Sequence, residues 1–277
     1  MIATADQRGS PISVVGAKRD YISHSAITTY QQCPLRYRFK YVDGLPETVV
    51  SSNLIFGGAI HSALEFHFTE LLCGNDSPSH DLLLDVFQEA WRGRSTEHQD
   101  IRFGKSEDHT SLSALADRML TAFREHPASA SNDTVSGIEE ELRGELIPGV
   151  PDLLARIDLL TTTDDALVIT DFKTSRSRWS QNQAENSSSQ LLLYSELARR
   201  LLPGWNVKLR FLVLTKTKSP IVESFDVAVS QHRARRTITV VEHTWEAIEA
   251  GHFYPAPSPM NCPACPFRSE CNAWPGN

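Results

Sequence analysis

Cysteine placement constrains this chain more than any other feature of its sequence. Four of its five cysteines lie near its two ends: Cys33 alone near the start, and Cys262, Cys265 and Cys271 as a C-x2-C-x5-C cluster at the finish. Three clustered thiolates are one short of the four that a tetrahedral zinc or an iron–sulfur cluster takes. Cys33 is the obvious fourth. A fold satisfying all four must bring the N-terminal region against the C-terminal tail, enclosing nearly everything between. By analogy with a disulfide, closing so long a loop removes unfolded-state entropy worth roughly 5 kcal/mol, comparable with the net stability of a whole domain. The fifth cysteine, Cys73, follows two leucines and precedes a glycine; it reads as a buried or helix-end thiol.

With 277 residues, 40% hydrophobic and 22% charged, the chain can bury a sizeable core. No apolar run approaches the ~20 residues of a membrane span, and the polar stretch Met1 to Ser10 lacks the apolar centre of a signal peptide. A cytoplasmic protein with no membrane partner is expected. In a reducing cytosol a CxxC cluster reads as a metal site rather than a disulfide. The net charge of −7 argues against a simple DNA-coating protein, yet is compatible with an enzyme that meets nucleic acid through a local basic track.

Residues 1–20 read as a flexible lead. Ser23 and Ser25 are N-cap candidates for a helix through Ile27, Tyr30 and Cys33. Gly57-Gly58-Ala59-Ile60-His61 opens a second helical stretch, with Ile60, Leu64, Phe68, Leu71 and Leu72 at helical spacing. Helical pieces are expected around Leu82 to Trp91 and over Leu112 to Phe123. The texture then changes. Val135 to Ile147, Leu153 to Leu160 and Ala166 to Phe172 read as strands, Gln190 to Leu202 as a helix, Val207 to Leu214 and Ile221 to Val229 as strands. Gln231 to Ala250 reads as a last helix stopped by Gly251. The predicted organisation is a helical region over 21–134, a core of mixed strands and helices over 135–250, and a Cys-rich tail over 251–277 packing back on the start, all one integrated domain.

Asp158 and Asp171 each stand where an apolar strand is expected to end. Two carboxylates on adjacent strand ends can share a hard cation such as Mg2+. Lys173, two residues beyond Asp171, faces the same side of an extended segment, where it can offset charge developing on a phosphate. Taken alone, the Asp-x-Lys triplet equally describes a solvated charge pair. His61 alone equally describes a structural histidine, and Gln190 with Tyr194, four apart, equally describes one polar helix edge. Arg36, Arg38 and Lys40 alternate with Tyr37, Phe39 and Tyr41, a pattern that suits phosphate contact and base stacking as well as it suits a solvated face. Lys216, Lys218, Arg233, Arg235 and Arg236 are further members of a candidate basic track. Of Glu139, Glu140 and Glu141, strand alternation does not say which lies near the carboxylates, and surface exposure is expected. Gly104-Lys105-Ser106 resembles the end of a P-loop, but position 99 is Gln instead of the first glycine, so nucleotide binding is rejected there.

Several pieces occur in one order: Ser-Ala-Ile-Thr-Thr-Tyr-Gln-Gln-Cys-Pro-Leu-Arg-Tyr-Arg-Phe at 25–39, Gly-Gly-Ala-Ile-His at 57–61, Arg156-Ile157-Asp158, Asp171-Phe172-Lys173-Thr174, Gln190-Leu-Leu-Leu-Tyr194, and the tail Cys262-Pro-Ala-Cys265 with Cys271. As an ordered set over roughly residues 21–275, they resemble the RecB-like branch of the PD-(D/E)XK nucleases, including its CRISPR-associated and helicase–nuclease members that carry an iron–sulfur cluster. The resemblance implies an α/β fold with a restriction-endonuclease-like core, a small mixed sheet flanked by helices, an N-terminal helical region and a C-terminal Cys-rich tail. It implies Mg2+ or Mn2+ at His61, Asp158 and Asp171, with the carbonyl after Asp171 as a further ligand, Lys173 positioning the attacking water, and Gln190 and Tyr194 orienting DNA or the carboxylates. It implies a [4Fe–4S] cluster on Cys33, Cys262, Cys265 and Cys271, with zinc as the alternative. Arg36, Arg38 and Lys40 would contact DNA.

The activity implied is metal-dependent DNA hydrolysis by an exonuclease acting on ends or single strands, in repair, recombination or CRISPR adaptation, beside a helicase or another repair or CRISPR partner. The alternatives are a non-catalytic or weakly catalytic DNA-end-binding subunit, and a zinc-stapled structural protein.

Overall fold

Ser23 sets the start of the first helix, its hydroxyl accepting from the Ala26 amide at 3.3 Å. In a computed structural model of the chain, residues 20–98, 100–130 and 133–276 are described; apart from Asp20, the expected flexible lead lies outside them. A short strand β1 (Tyr21–Ser23) leads into α1 (His24–Gln32), and Pro34 opens α2 (Pro34–Tyr37), which continues as a π-helical turn over Arg38–Val42. Next come β2 (Val49–Ser51), α3 (Ser52–Leu72), α4 (His80–Thr96), β3 (Asp100–Arg102) and α5 (His109–Glu125). The second half runs β4 (Thr134–Gly144), β5 (Asp152–Thr162), β6 (Leu167–Ser175), α6 (Gln181–Asn186) and α7 (Ser189–Leu201), then β7 (Val207–Thr215), β8 (Val222–Val227), α8 (Gln231–Glu249) and α9 (Arg268–Ala273).

Among the described residues, β1 and β4 to β8 form a six-stranded mixed sheet in which β5, β6, β7 and β8 lie side by side, and β2 pairs with β3 in a separate two-stranded sheet. The three-residue strands β1, β2 and β3 are absent from the sequence reading because three residues carry too little alternation to register. Gly57-Gly58 does not open its helix. Ser51 caps α3 earlier, which places both glycines inside it. An added Cβ at Gly57 would stand 3.3 Å from Thr174 Oγ1, so glycine lets α3 cross β6 closely. Gly251, with φ of 71°, ends the last long helix as expected, because the left-handed backbone there suits a residue without Cβ. Cys73 is exposed at the end of α3.

Two large cores cover the faces of the sheet. One packs Ile27, Tyr30, Leu191, Leu197, Val241 and Trp245 of α1, α7 and α8 against Ile169, Leu209, Phe211 and Val213. The other packs Phe56, Ile60, Leu64, Phe68, Phe87 and Met119 of α3, α4 and α5 against Phe172, Leu212 and Leu214. A third, small cluster joins Leu35 and Phe39 to Phe267, with Cys33, Cys265 and Cys271 against it. The tail is tied down by backbone and side-chain bonds: Leu35 N donates to Tyr254 O at 3.0 Å, and Tyr30 Oη donates to His252 O at 2.7 Å. Among the described residues no helix is long and apolar enough to cross a membrane.

Candidate active site

Asp158 and Asp171 sit inside their strands, not at their ends as expected, and the reason lies in how the sheet divides. Strands β5 and β6 pair antiparallel only over Leu159 to Thr162 against Leu167 to Thr170. On the same edge, further back along β5, β1 takes over at Asp152 to Leu154. Residues 155–158 face the gap between these two neighbours. Beyond Thr170, β6 continues on β7 alone, with Asp171 opposite Phe211 and Lys173 opposite Val213. The site occupies this fork.

Backbone groups freed by the fork are satisfied by side chains, as buried N–H and C=O groups must be. The Phe172 amide donates to Asp158 Oδ2 at 2.7 Å. The Phe172 carbonyl, the one after Asp171, accepts from the His61 ring, and the Arg156 backbone bonds the Tyr194 hydroxyl. Nδ1 of His61, on α3, lies 3.6 Å from Asp158 Oδ2, and its ring stands edge-on to Phe172. Burial is the largest influence on His61 and holds its pKa below the ordinary histidine value, against the opposing charge of Asp171.

Lys173 Nζ lies 2.6 Å from Asp171 Oδ2 and donates to Gln190 Oε1 at 3.3 Å. Gln190 Nε2 in turn donates to Tyr194 Oη at 3.2 Å. The Lys173–Asp171 contact is an ion pair without hydrogen-bond alignment, so Asp171 Oδ2 remains a buried oxygen lacking a hydrogen bond. Asp158 is pushed up to about 7, first by burial and then by the nearby Asp171 carboxylate. Two buried carboxylates with the single ammonium of Lys173 against one of them leave a site of net negative potential that a hard cation would relieve. With the neutral imidazole of His61 beside them, the donors present fit a divalent ion. As placed, no three His, Cys, Asp or Glu side chains among the described residues close around one point tightly enough to hold it.

One residue here, His24, was not among the sequence candidates, and another, Glu139, was not singled out from its acidic triplet. His24, on α1, has Nε2 3.0 Å from Ser189 Oγ and is pushed down to about 4, first by burial and then by the charge of Lys173. Its proximity to Lys173 depends on β1 entering the sheet, for which no sequence signal was available. Glu139 is the member of the acidic triplet that turns toward the carboxylates, correcting the expectation of surface exposure. Its pKa is raised, first by burial and then by Asp158 and Glu65. It adopts φ of 50°, and the buried alternation reverses around it. On β5, Leu153, Ala155 and Ile157 belong to one core and Leu159 to the other. On β4, Leu142 and Ile138 divide likewise.

Cys33, Cys262, Cys265 and Cys271 line one cavity of about 220 Å³ between α2 and the tail, together with Phe39 and Phe267. Burial raises the Cys271 thiol, followed by the influence of Cys33, Cys265 and Cys262. Four thiols lining one space fit a four-thiolate centre in donor type and number, although they too stand apart as placed.

The aromatic and cationic run 36–41 is placed differently from a stacking surface. Tyr37 and Phe39 are buried in the core. The cations meet acids of their own segment: Arg36 lies 3.7 Å and Lys40 2.7 Å from Glu47, and Arg38 lies 3.3 Å from Asp43. Lys216 donates to Asn53 at 2.8 Å, and Arg233 pairs with Glu185.

A family model described as the PD-(D/E)XK nuclease superfamily matches residues 21–272. The crystal structure of a candidate exonuclease from Eubacterium rectale superposes with a TM-score of 0.50 at 14% identity, over 92% of this chain and 88% of that one. That likeness concerns the fold alone. The crystal structure of SSO0001 aligns over 90% of this chain and 95% of that one at 15% identity, with a TM-score of 0.34, too low to carry an argument. No curated protein matches the sequence.

Proposed function

This chain belongs to the PD-(D/E)XK nuclease superfamily, and from that premise we propose that it is a divalent-metal-dependent deoxyribonuclease of the RecB-like, iron–sulfur branch, acting as an exonuclease on DNA ends or single strands. The observation that carries this reading is the fork between β5 and β6, where Asp158, Asp171 and Lys173 converge and the Phe172 amide fixes the Asp158 carboxylate.

Bound at Asp158, Asp171 and His61, Mg2+ or Mn2+ would supply positive charge to the scissile phosphate and make water a better nucleophile near neutral pH. The remaining work falls to side chains. Lys173, whose ammonium is held between Asp171 and Gln190, would orient the attacking water and offset negative charge on the phosphate oxygens. Gln190 fixes the Lys173 rotamer, and Tyr194, anchored on the Arg156 backbone, fixes Gln190. Such pre-set positions cost little reorganisation when the reaction occurs. His61, kept neutral by burial, presents a lone pair instead of a repelling cation.

The four cysteines would hold a [4Fe–4S] cluster that staples the tail to α1 and α2; their shared cavity and the mutual influence on Cys271 support this, with zinc as the alternative. The sulfur site would hold the fold together while the oxygen site hydrolyses.

The test is digestion of linear single-stranded, linear double-stranded and covalently closed circular DNA with Mn2+. Loss of the linear forms with the circle intact is expected. Equal cleavage of the circle would remove the exonuclease assignment, and binding without cleavage of any form would favour the end-binding alternative.

A further inference from the structure

Behind the fork, on the α1 and α7 side, lies a largely apolar cavity of about 160 Å³ with polar edges, lined by His24, Gln31, Ser189, Arg236, Thr237 and Val240 among others. Two of its residues connect it to the candidate active site. Ser189 immediately precedes Gln190 at the start of α7, and its hydroxyl lies 3.0 Å from His24 Nε2. His24 in turn is close enough to Lys173 and Asp171 to sense both charges. Arg236 stands exposed on the far wall and, among the described residues, makes no ion pair; its neighbour Arg233 is committed to Glu185. The cavity thus offers one uncommitted guanidinium and the half-buried edge of His24, beside the Ser189 hydroxyl bonded to that ring and the Thr237 hydroxyl that donates to the Arg233 carbonyl, floored by apolar Ile27, Leu193 and Val241. A guanidinium suits phosphate, and an apolar floor with polar edges suits a planar base.

We propose that this cavity seats one unpaired nucleotide of the strand being cut, with its phosphate on Arg236 and its base against His24 and the apolar floor. The proposal rests on the DNA-hydrolase reading and adds a subsite to it. The space is too small for a base pair, so an end would need to fray before occupying it, and single strands would bind without that cost. His24, neutral at pH 7 because burial and Lys173 disfavour its charged form, serves as a ring and hydrogen-bonding edge.

The experiment is fluorescence anisotropy of a short labelled oligothymidylate in EDTA, so that binding is measured apart from hydrolysis. Arg236→Glu is expected to weaken binding about tenfold and to lower the slope of log affinity against log salt by about one. Arg235→Glu, the same charge change at an exposed position on the same helix outside the cavity, is expected to bind nearly as wild type. Thr237→Trp, which fills the cavity without changing charge, is expected to weaken single-strand binding more than blunt-duplex binding. Equal weakening by Arg235→Glu and Arg236→Glu, or none by either, would overturn the subsite, as would a wild type that does not bind the oligonucleotide. A wild type that binds with this pattern yet hydrolyses nothing with Mn2+ would leave the subsite standing and remove the hydrolase reading.

Discussion

The Phe172 amide donates to Asp158 Oδ2 at 2.7 Å across the point where β5 and β6 part. A backbone donor that would otherwise feed a strand ladder instead holds a carboxylate beside Asp171. The same divergence turns the Phe172 carbonyl toward His61. One local departure from sheet pairing therefore assembles groups from α3, β5 and β6.

Gly57 controls how closely α3 approaches that fork. Gly57→Ala is expected to force Thr174 and α3 apart, since the new Cβ would meet Thr174 Oγ1 at 3.3 Å, moving His61 relative to Asp158. The expected cost is about 1 kcal/mol in stability with a larger proportional loss of nuclease activity. Gly58→Ala meets the Arg94 side chain, which can swing away, and should leave activity near wild type. Urea unfolding and turnover of both variants check the contrast; equal activity losses would contradict it.

Gln190 bridges Lys173 and Tyr194. Gln190→Leu is expected to lower kcat by about 10- to 100-fold with little change in KM, because it releases the lysine without removing a substrate contact. Tyr194→Phe removes the hydroxyl that bonds both Gln190 and the Arg156 backbone, and should cost about 1–3 kcal/mol in transition-state stabilisation. Steady-state kinetics on a single-stranded substrate measure both.

His24 gives the fold a signature in acid. Its pKa is about 4 in the folded chain against about 6.5 unfolded. The folded pKa is depressed, so the stability it contributes is present above about pH 6.5 and is lost as pH falls toward 4, amounting to roughly 3 kcal/mol. Asp158, raised to about 7 in the folded chain, works in the opposite direction across the whole of this window, so the comparison must be with a variant. Wild type should lose more stability than His24→Gln between pH 7 and pH 4.5 in urea titrations. Parallel losses would contradict the assignment.

Most of the architecture was legible in the sequence because it is written in long periodic segments: α1, α5, α7 and α8, and the apolar strands β5 to β7. The candidate site was named in the sequence as residue types in order, but its geometry was not legible there. The sequence reading placed Asp158 and Asp171 at strand ends, whereas strand pairing at the fork is a long-range choice between β1 and β6 as neighbours of β5. Glu139 was hidden because its positive φ reverses the alternation from which its direction would be read. His24 was hidden because a three-residue strand delivers it. The run at 36–41 looked like a nucleic-acid surface because cations and aromatics alternate there, yet a helix and a π turn bury Tyr37 and Phe39 and pair the cations with Glu47 and Asp43.

The cysteine cavity makes its own prediction. Protein purified anaerobically should carry iron and sulfide, and Cys33→Ser and Cys271→Ser should each lose most of both and melt at lower temperature, since each thiol lines the same cavity. Zinc without iron, in stoichiometric amount, would assign the alternative centre. Wild-type metal content and melting in both variants would remove these cysteines from metal binding.

The central claim is that Asp158, Asp171 and Lys173 form one hydrolytic site. Its most direct test is single-turnover cleavage of end-labelled single-stranded DNA with Mn2+ by wild type, Asp158→Ala, Asp171→Ala and Lys173→Ala, each shown by circular dichroism to be folded. The predicted result is cleavage by wild type and a loss of at least about 10²-fold in each variant. Equal degradation by all four proteins would contradict it.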